Sequence, residues 1–121
     1  MPDTFHRFLP DGHPETGMGP SNAVPPNAFT TEDHKESRYK FFEAADDSVT
    51  SGVWECAPIF IEIGAYSVTE LMTVLSGRLN LTDADGKKDA FTAGDTFLIA
   101  KGAKVTLEIT ETLRKFYMIV K

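Results

Sequence analysis

ELMTVLSGRLNLT, residues Glu70–Thr82, is a long stretch of alternating apolar and polar residues. A period of two marks a β-strand with one buried face. Leu71, Leu75, Leu79 and Leu81 fall in one phase, and Met72 and Val74 in the other. Gly77 stands in the middle, where it predicts a bend or bulge. Just downstream, Asp85–Gly86 is the strongest hairpin signal in the chain, because a type I′ turn needs positive φ. Lys88–Phe91 is expected to pair back.

The pattern repeats outward from this segment. Arg38–Ala44 reads as a first strand, and Asp46–Ser48 as a turn. Val53–Ile63 is rich in β-branched and aromatic residues, with Pro58 interrupting it or marking an edge. Gly94–Asp95 turns into Thr96–Ala100, and Lys101–Gly102 turns into Val105–Ile109. Arg114–Val120 closes the chain. No segment holds an apolar 3.6-residue period for ten residues. Short strands separated by glycine turns predict a sandwich or barrel.

Upstream of residue 38 the composition changes. Six of the seven prolines lie within the first 26 residues. Proline removes a backbone donor and fixes φ, which excludes a long helix or a central strand there. Residues 1–37 are therefore read as an extended arm and residues 38–121 as the barrel domain. Two readings of the arm stand side by side. It lies on the barrel or on a neighbouring subunit, anchored by Phe5, Phe8 and Phe29, or it is a disordered tail.

Size and charge bound the function. The 121 residues fit one domain. The net charge is -6, and residues 1–50 carry most of it. An acidic chain without a basic cluster repels phosphate backbones and anionic lipid, so neither nucleic acid nor membrane is an expected partner. The single cysteine, Cys56, permits no internal disulfide and fits a reducing compartment. No secretory signal is evident at the N-terminus. A cytoplasmic location is the expectation.

From Gly52 to Val120 the chain resembles a cupin. The similarity is to the small single-domain branch related to ureidoglycine aminohydrolases and the ethanolamine-utilisation cupin. SGVWECAP (Ser51–Pro58) resembles that branch's leading strand. Glu70 followed by six residues and Gly77, then LSGRLNLTDADGK, resembles the second half of the first cupin motif. FTAGDTFLIAKG (Phe91–Gly102) resembles the opening of the second motif, and LRKFYMIV (Leu113–Val120) the closing strand. The resemblance implies an all-β, single-domain double-stranded β-helix, or jelly-roll barrel, with an extended N-terminal arm. It also implies a homodimer, with the first strand and the arm available for exchange.

Against that pattern the metal ligands are missing. The histidine positions ahead of Glu70 fall on Gly64 and Tyr66, or on Ile63 and Ala65. The third falls on Val105. Of the implied ligands only Glu70 survives, and one carboxylate is too few donors for a first-row divalent ion. No metal and no cofactor are expected. Two routes to a metal stay open: an arm histidine (His6, His13 or His34) folding over the barrel mouth, or a site made of Glu70, Cys56 and Glu62.

Glu70 is thus the candidate for acid–base chemistry or for anchoring a ligand. A buried carboxylate must be hydrogen-bonded, paired or protonated. Trp54, Tyr66 and Tyr117 are candidate ligand contacts, with Met72 and Val105 as apolar lining. Arg114 and Lys115 open the last strand, and alternation puts Lys115 on the same face as Tyr117. One of these cations reaches the pocket or an interface, or both are solvated. Two functions compete. In the first, the barrel binds or processes a small polar molecule (a ureide, amine or carboxylate) without a tightly bound metal. In the second, the protein is a non-catalytic structural or sensory dimer whose barrel is filled by its own side chains. Inward-pointing Met72, Val74 and Val105 favour the second reading. A cavity lined by Trp54, Tyr66 and Glu70 with unpaired polar atoms favours the first.

Overall fold

The structure is a computed structural model and describes residues 4–121. Eight strands follow one another: β1 (Gly19–Pro20), β2 (Glu36–Glu43), β3 (Val49–Cys56), β4 (Ile59–Ile63), β5 (Thr69–Asp83), β6 (Lys88–Phe91), β7 (Thr96–Ile99) and β8 (Val105–Val120). The only helical element among the described residues is a 3-10 turn at Pro26–Ala28. No helix among them is long and apolar enough to cross a membrane.

All pairing between strands is antiparallel, and the long strands β5 and β8 run side by side through the whole barrel. Their outer halves belong to one sheet. There β8 pairs with β3, β3 with β2, β2 with β1, and β5 with β7. Their other halves belong to a second sheet, where Ile109 back to Val105 of β8 pairs with β4 and the end of β5 pairs with β6. The two sheets close into the jelly-roll barrel. Val105–Ile109 and Arg114–Val120, read from sequence as two strands, are one continuous strand. The stretch between them keeps a pairing to β5, with Arg78 opposite Glu111.

Gly77 makes the bend. Its φ is +89°, and a Cβ there would overlap the backbone carbonyl of Thr112 on β8. The register shifts at three points between Val74 and Leu79. Such a shift exchanges the faces of a strand. Glu70, Met72 and Val74 therefore point inward before the bend, and Leu79 points inward after it. The single leucine phase read from the sequence is broken at this point. Leu71 is exposed on the outer face, and Leu79 is core.

Pro58 separates β3 from β4, as its missing donor requires. A second irregularity lies between Lys40 and Phe42 in β2, opposite Gly52. Any side chain at Gly52 would strike the carbonyl of Tyr39.

The N-terminal segment follows the barrel surface. Phe8 stacks on Phe41 with ring centroids 5.1 Å apart and meets Phe116 edge-on at 5.6 Å. Arg114 donates to the Pro10 carbonyl at 2.9 Å and pairs with Asp11 at 2.6 Å and Glu55 at 2.6 Å. Val53 points to the outer face by register yet is fully buried, because this aromatic layer covers it.

Candidate functional site

The inner wall follows from strand register. Each inward residue of β8 has inward partners on both sides. Lys115 lies between Val74 of β5 and Trp54 of β3, and beyond Trp54 comes Arg38 of β2. Tyr117 lies between Met72 and Gly52, and Ile119 between Glu70 and Thr50. These rows bring Lys115, Tyr117 and Glu70 onto neighbouring positions of the inner wall.

Glu70 is the centre of the group. Its Oε2 accepts from Lys115 Nζ at 2.9 Å, and its Oε1 accepts from the Tyr66 hydroxyl at 2.6 Å. Glu70 is 6% exposed and Lys115 7%. The Lys115 ammonium also approaches Met72 Sδ at 2.9 Å and lies 4.7 Å from the centroid of the Trp54 ring. A cation over an indole face is attracted by the ring quadrupole. Trp54 Nε1 donates in turn to Glu36 Oε2 at 2.8 Å.

Backbone geometry fixes Tyr66. Its amide donates to the Ala103 carbonyl at 2.8 Å, and its carbonyl accepts from Gly102 N at 2.7 Å. Gly102 has φ +88°, so the second-motif glycine holds this tyrosine over Glu70. Burial, then the charge of Glu70 and its hydrogen bond, push the Tyr66 hydroxyl well above its ordinary range. At neutral pH it is a proton-bearing donor. Burial likewise raises Tyr117, whose hydroxyl has no partner among the described residues.

Beside this group lies a cavity of about 240 Å³. The apolar part of its wall is mainly isoleucine and leucine from β4, β5 and β8. Glu70, Trp54, Tyr66 and Tyr117 line it, as do Lys115 and Arg38. Met72 and Val105 do not. They pack behind the wall with Ile99 and Tyr117. The second apolar cluster, around Val74, Leu79, Ile109 and Leu113, forms the opposite part of the core.

The donor set does not fit a divalent metal. Both Glu70 oxygens are engaged, and the nearby positive charge is already supplied by the Lys115 ammonium. Cys56 lies in the apolar cluster, and burial followed by the Glu36 charge pushes its thiol up to about 12, so it carries no thiolate to offer a metal. Glu62 alternates with the inward Ile61 and Ile63 and is exposed on the other face of β4. The arm histidines are placed elsewhere. His6 meets Phe42 edge-on, His13 Nδ1 accepts from the Glu15 and Thr16 amides, and His34 stacks on Phe29. Among the described residues no group of three or more His, Cys, Asp or Glu could hold a metal ion. Neither route to a metal left open by the sequence is assembled.

Sequence reasoning placed Lys115 on the face of Tyr117 but left it unassigned, because a lysine in an alternating strand is usually solvated. Arg38 and Glu36 were missed as site residues. Each lies three strands away from Glu70, with β3 and β8 between, and nothing local in the sequence links them to it.

A closed antiparallel jelly roll with polar groups on its inner wall is the architecture that cupins use. A family model described as "EutQ-like cupin domain" matches residues 43–117, more than half of the chain, and the chain belongs to that family. Solved structures agree. A protein with unknown function from the DUF861 family of Pseudomonas syringae pv. tomato str. DC3000 is 27% identical, with a TM-score of 0.76 over 85% of this chain and 44% of that one. A DUF861 family protein from Thermotoga maritima is 29% identical, with a TM-score of 0.50 over 54% of this chain and 73% of that one. The EutQ protein of Clostridium difficile shares the fold at 20% identity, with a TM-score of 0.59 over 73% and 69%. The chain spans less than half the length of the Pseudomonas protein. No curated protein matches the sequence.

Proposed function

We propose that the barrel cavity binds a small polar molecule with a compact apolar body, without a metal, and that the ligand carries a carboxylate. The buried Lys115–Glu70 pair beside the cavity carries this reading. A buried ion pair is a poor stabiliser compared with apolar residues of the same volume, so its presence there asks for another reason. The cavity, at about 240 Å³, lies just below the usual ~300–1,000 Å³ of small-molecule sites.

Charge balance narrows the three candidate classes. Glu70 is already neutralised by Lys115 and bonded by Tyr66, which leaves it little to offer an amine. What remains available is donating: the Tyr117 hydroxyl, buried without a partner among the described residues, and the guanidinium of Arg38, an exposed residue that also lines the cavity. Among the described residues no carboxylate pairs with Arg38. Glu70 then acts as the anchor that orients Lys115 and Tyr66. For it to act as an acid or base, a ligand must first displace one of them.

Thermal shift with isobutyrate, isobutyramide, isobutylamine and a small alkyl urea tests the reading. Isobutyrate is expected to raise the melting temperature of the wild type, with the effect lost in Arg38→Gln. A preference for the amine or the urea would overturn the carboxylate assignment. No shift with any compound would overturn the ligand reading and favour the second one.

That second reading has its own support. Met72, Val74 and Val105 all point inward and are buried, so part of the barrel is filled by its own side chains. Leu98, Leu71 and Met118 lie side by side across β7, β5 and β8 on the outer face, 56%, 38% and 40% exposed. A contiguous apolar stripe of this kind is a natural face for a second copy of the chain. A homodimer fits both readings.

A further inference from the structure

The wall of the cavity is of two kinds. Most lining residues lie in barrel strands, and Tyr66 is fixed by two backbone hydrogen bonds to the turn after β7. Moving any of these breaks the sheet ladder or that turn. Ala23, Val24 and Pro25 also line the cavity, and they belong to neither. The segment is pinned at its two ends. Upstream, Gly19–Pro20 pairs with β2, and downstream Phe29 lies opposite Ile59.

Between those pins Val24 packs against the apolar cluster, and one side chain makes the side-chain hydrogen bonds to the segment. Glu36 Oε2 accepts from Ser21 Oγ at 2.5 Å and from the Ala23 amide at 3.1 Å, and Oε1 accepts from the Val24 amide at 3.0 Å. The Ser21 amide adds a bond to the Glu36 carbonyl at 3.1 Å. The same Oε2 accepts from Trp54 Nε1. Trp54 is itself cavity wall and carries the Lys115 ammonium over its ring. One buried carboxylate therefore sets both the position of the only wall segment outside the barrel framework and the orientation of the indole beneath it.

We propose that Ser21–Pro25 is the gate through which a ligand reaches the barrel cavity, and that Glu36 is the positioning residue that latches it. This rests on the reading of the cavity as a ligand site. Opening costs the hydrogen bonds to Glu36 and the packing of Val24 against the apolar cluster, but leaves the pairing of the barrel strands intact, so it needs less than unfolding the barrel. Trp54 ties the latch to the Lys115–Glu70 pair, so a ligand that moves the indole loosens Glu36, and release of Glu36 frees the indole.

Amide hydrogen exchange by NMR on the full chain, with acrylamide quenching of the single tryptophan, tests the gate. In Glu36→Gln the bonds lose their charge assistance, and the Ala23 and Val24 amides are expected to exchange about tenfold faster. The Met72 and Tyr117 amides should keep their wild-type rates. Ser21→Ala removes one bond to Glu36 and leaves the Trp54–Glu36 bond in place. It should give the same pattern, weaker, together with stronger quenching of Trp54. The proposal is overturned if the Ala23 and Val24 rates do not change. It is equally overturned if the barrel amides accelerate in step, or if the segment opens while Trp54 quenching stays constant. Should Glu36→Gln fail to fold, Ser21→Ala decides alone. These readouts need no ligand, so a failed ligand series is told apart from a failed gate.

Discussion

Lys115 and Glu70 illustrate what a buried pair demands of its surroundings. Removing one partner strands the other charge in an apolar barrel, which costs about 3–5 kcal/mol, whereas replacing both with apolar or neutral groups is often nearly neutral. Lys115→Met is therefore expected to lose stability on that scale in urea denaturation, and Glu70→Gln/Lys115→Met to recover most of it. Additive losses would show that the two groups are not coupled. Glu36 gives a pH effect with a definite sign. Burial alone would raise its pKa, but bonds from Ser21, Trp54, Val24 and Ala23 outweigh burial and hold it below the ordinary 4.5. Its folded value lies below its unfolded one, so its contribution is present above about pH 4.5 and is lost as pH falls through the folded value. Glu36→Gln should flatten the fall in melting temperature between neutral and acidic pH. A fall as steep as in the wild type would remove Glu36 from that account.

At the scale of elements, the barrel depends on one strand changing its inward phase. β5 starts with even-numbered residues facing in and ends with odd-numbered ones, and β8 keeps the same phase throughout. Gly77 is the residue that permits this, for two separable reasons. Its φ is positive, and the Thr112 carbonyl occupies the place of a side chain. Gly86 shares the positive φ but has open space around it. Gly86→Ala should thus show only the left-handed backbone penalty, about 1–2 kcal/mol. Gly77→Ala adds a backbone overlap that cannot relax without moving β8, and its loss should clearly exceed that of Gly86→Ala. Equal losses, read from paired denaturation curves, would show that the close approach to Thr112 carries no cost. The bulge was legible because glycine interrupts an alternating run. The change of inward phase was not, since the number of register shifts is set by the partner strand.

For the whole molecule, the outer stripe of Leu71, Leu98 and Met118 predicts self-association. Sedimentation is expected to show a dimer for the wild type, and Leu71→Lys/Met118→Lys is expected to run as a monomer. A wild-type monomer near 13.3 kDa would end that prediction. The sequence by itself determined the β class, because alternation, hairpin glycines and a strand-breaking proline are local and have few other solutions. The resemblance to cupins implied that Glu70 stands inside the barrel without the histidines that hold a metal in such barrels, because the family's motif positions can be read along one chain. Only the tertiary structure decided what faces Glu70. Lys115 is 45 residues away along the chain, and it meets Glu70 because β5 and β8 pair in one particular register. Trp54 and the Ser21–Val24 segment come from two further stretches and converge on the carboxylate of Glu36, which stands on a third. A pairing of that kind is written in the register of sheets and not in any local pattern, so it becomes visible only when the strands are laid side by side.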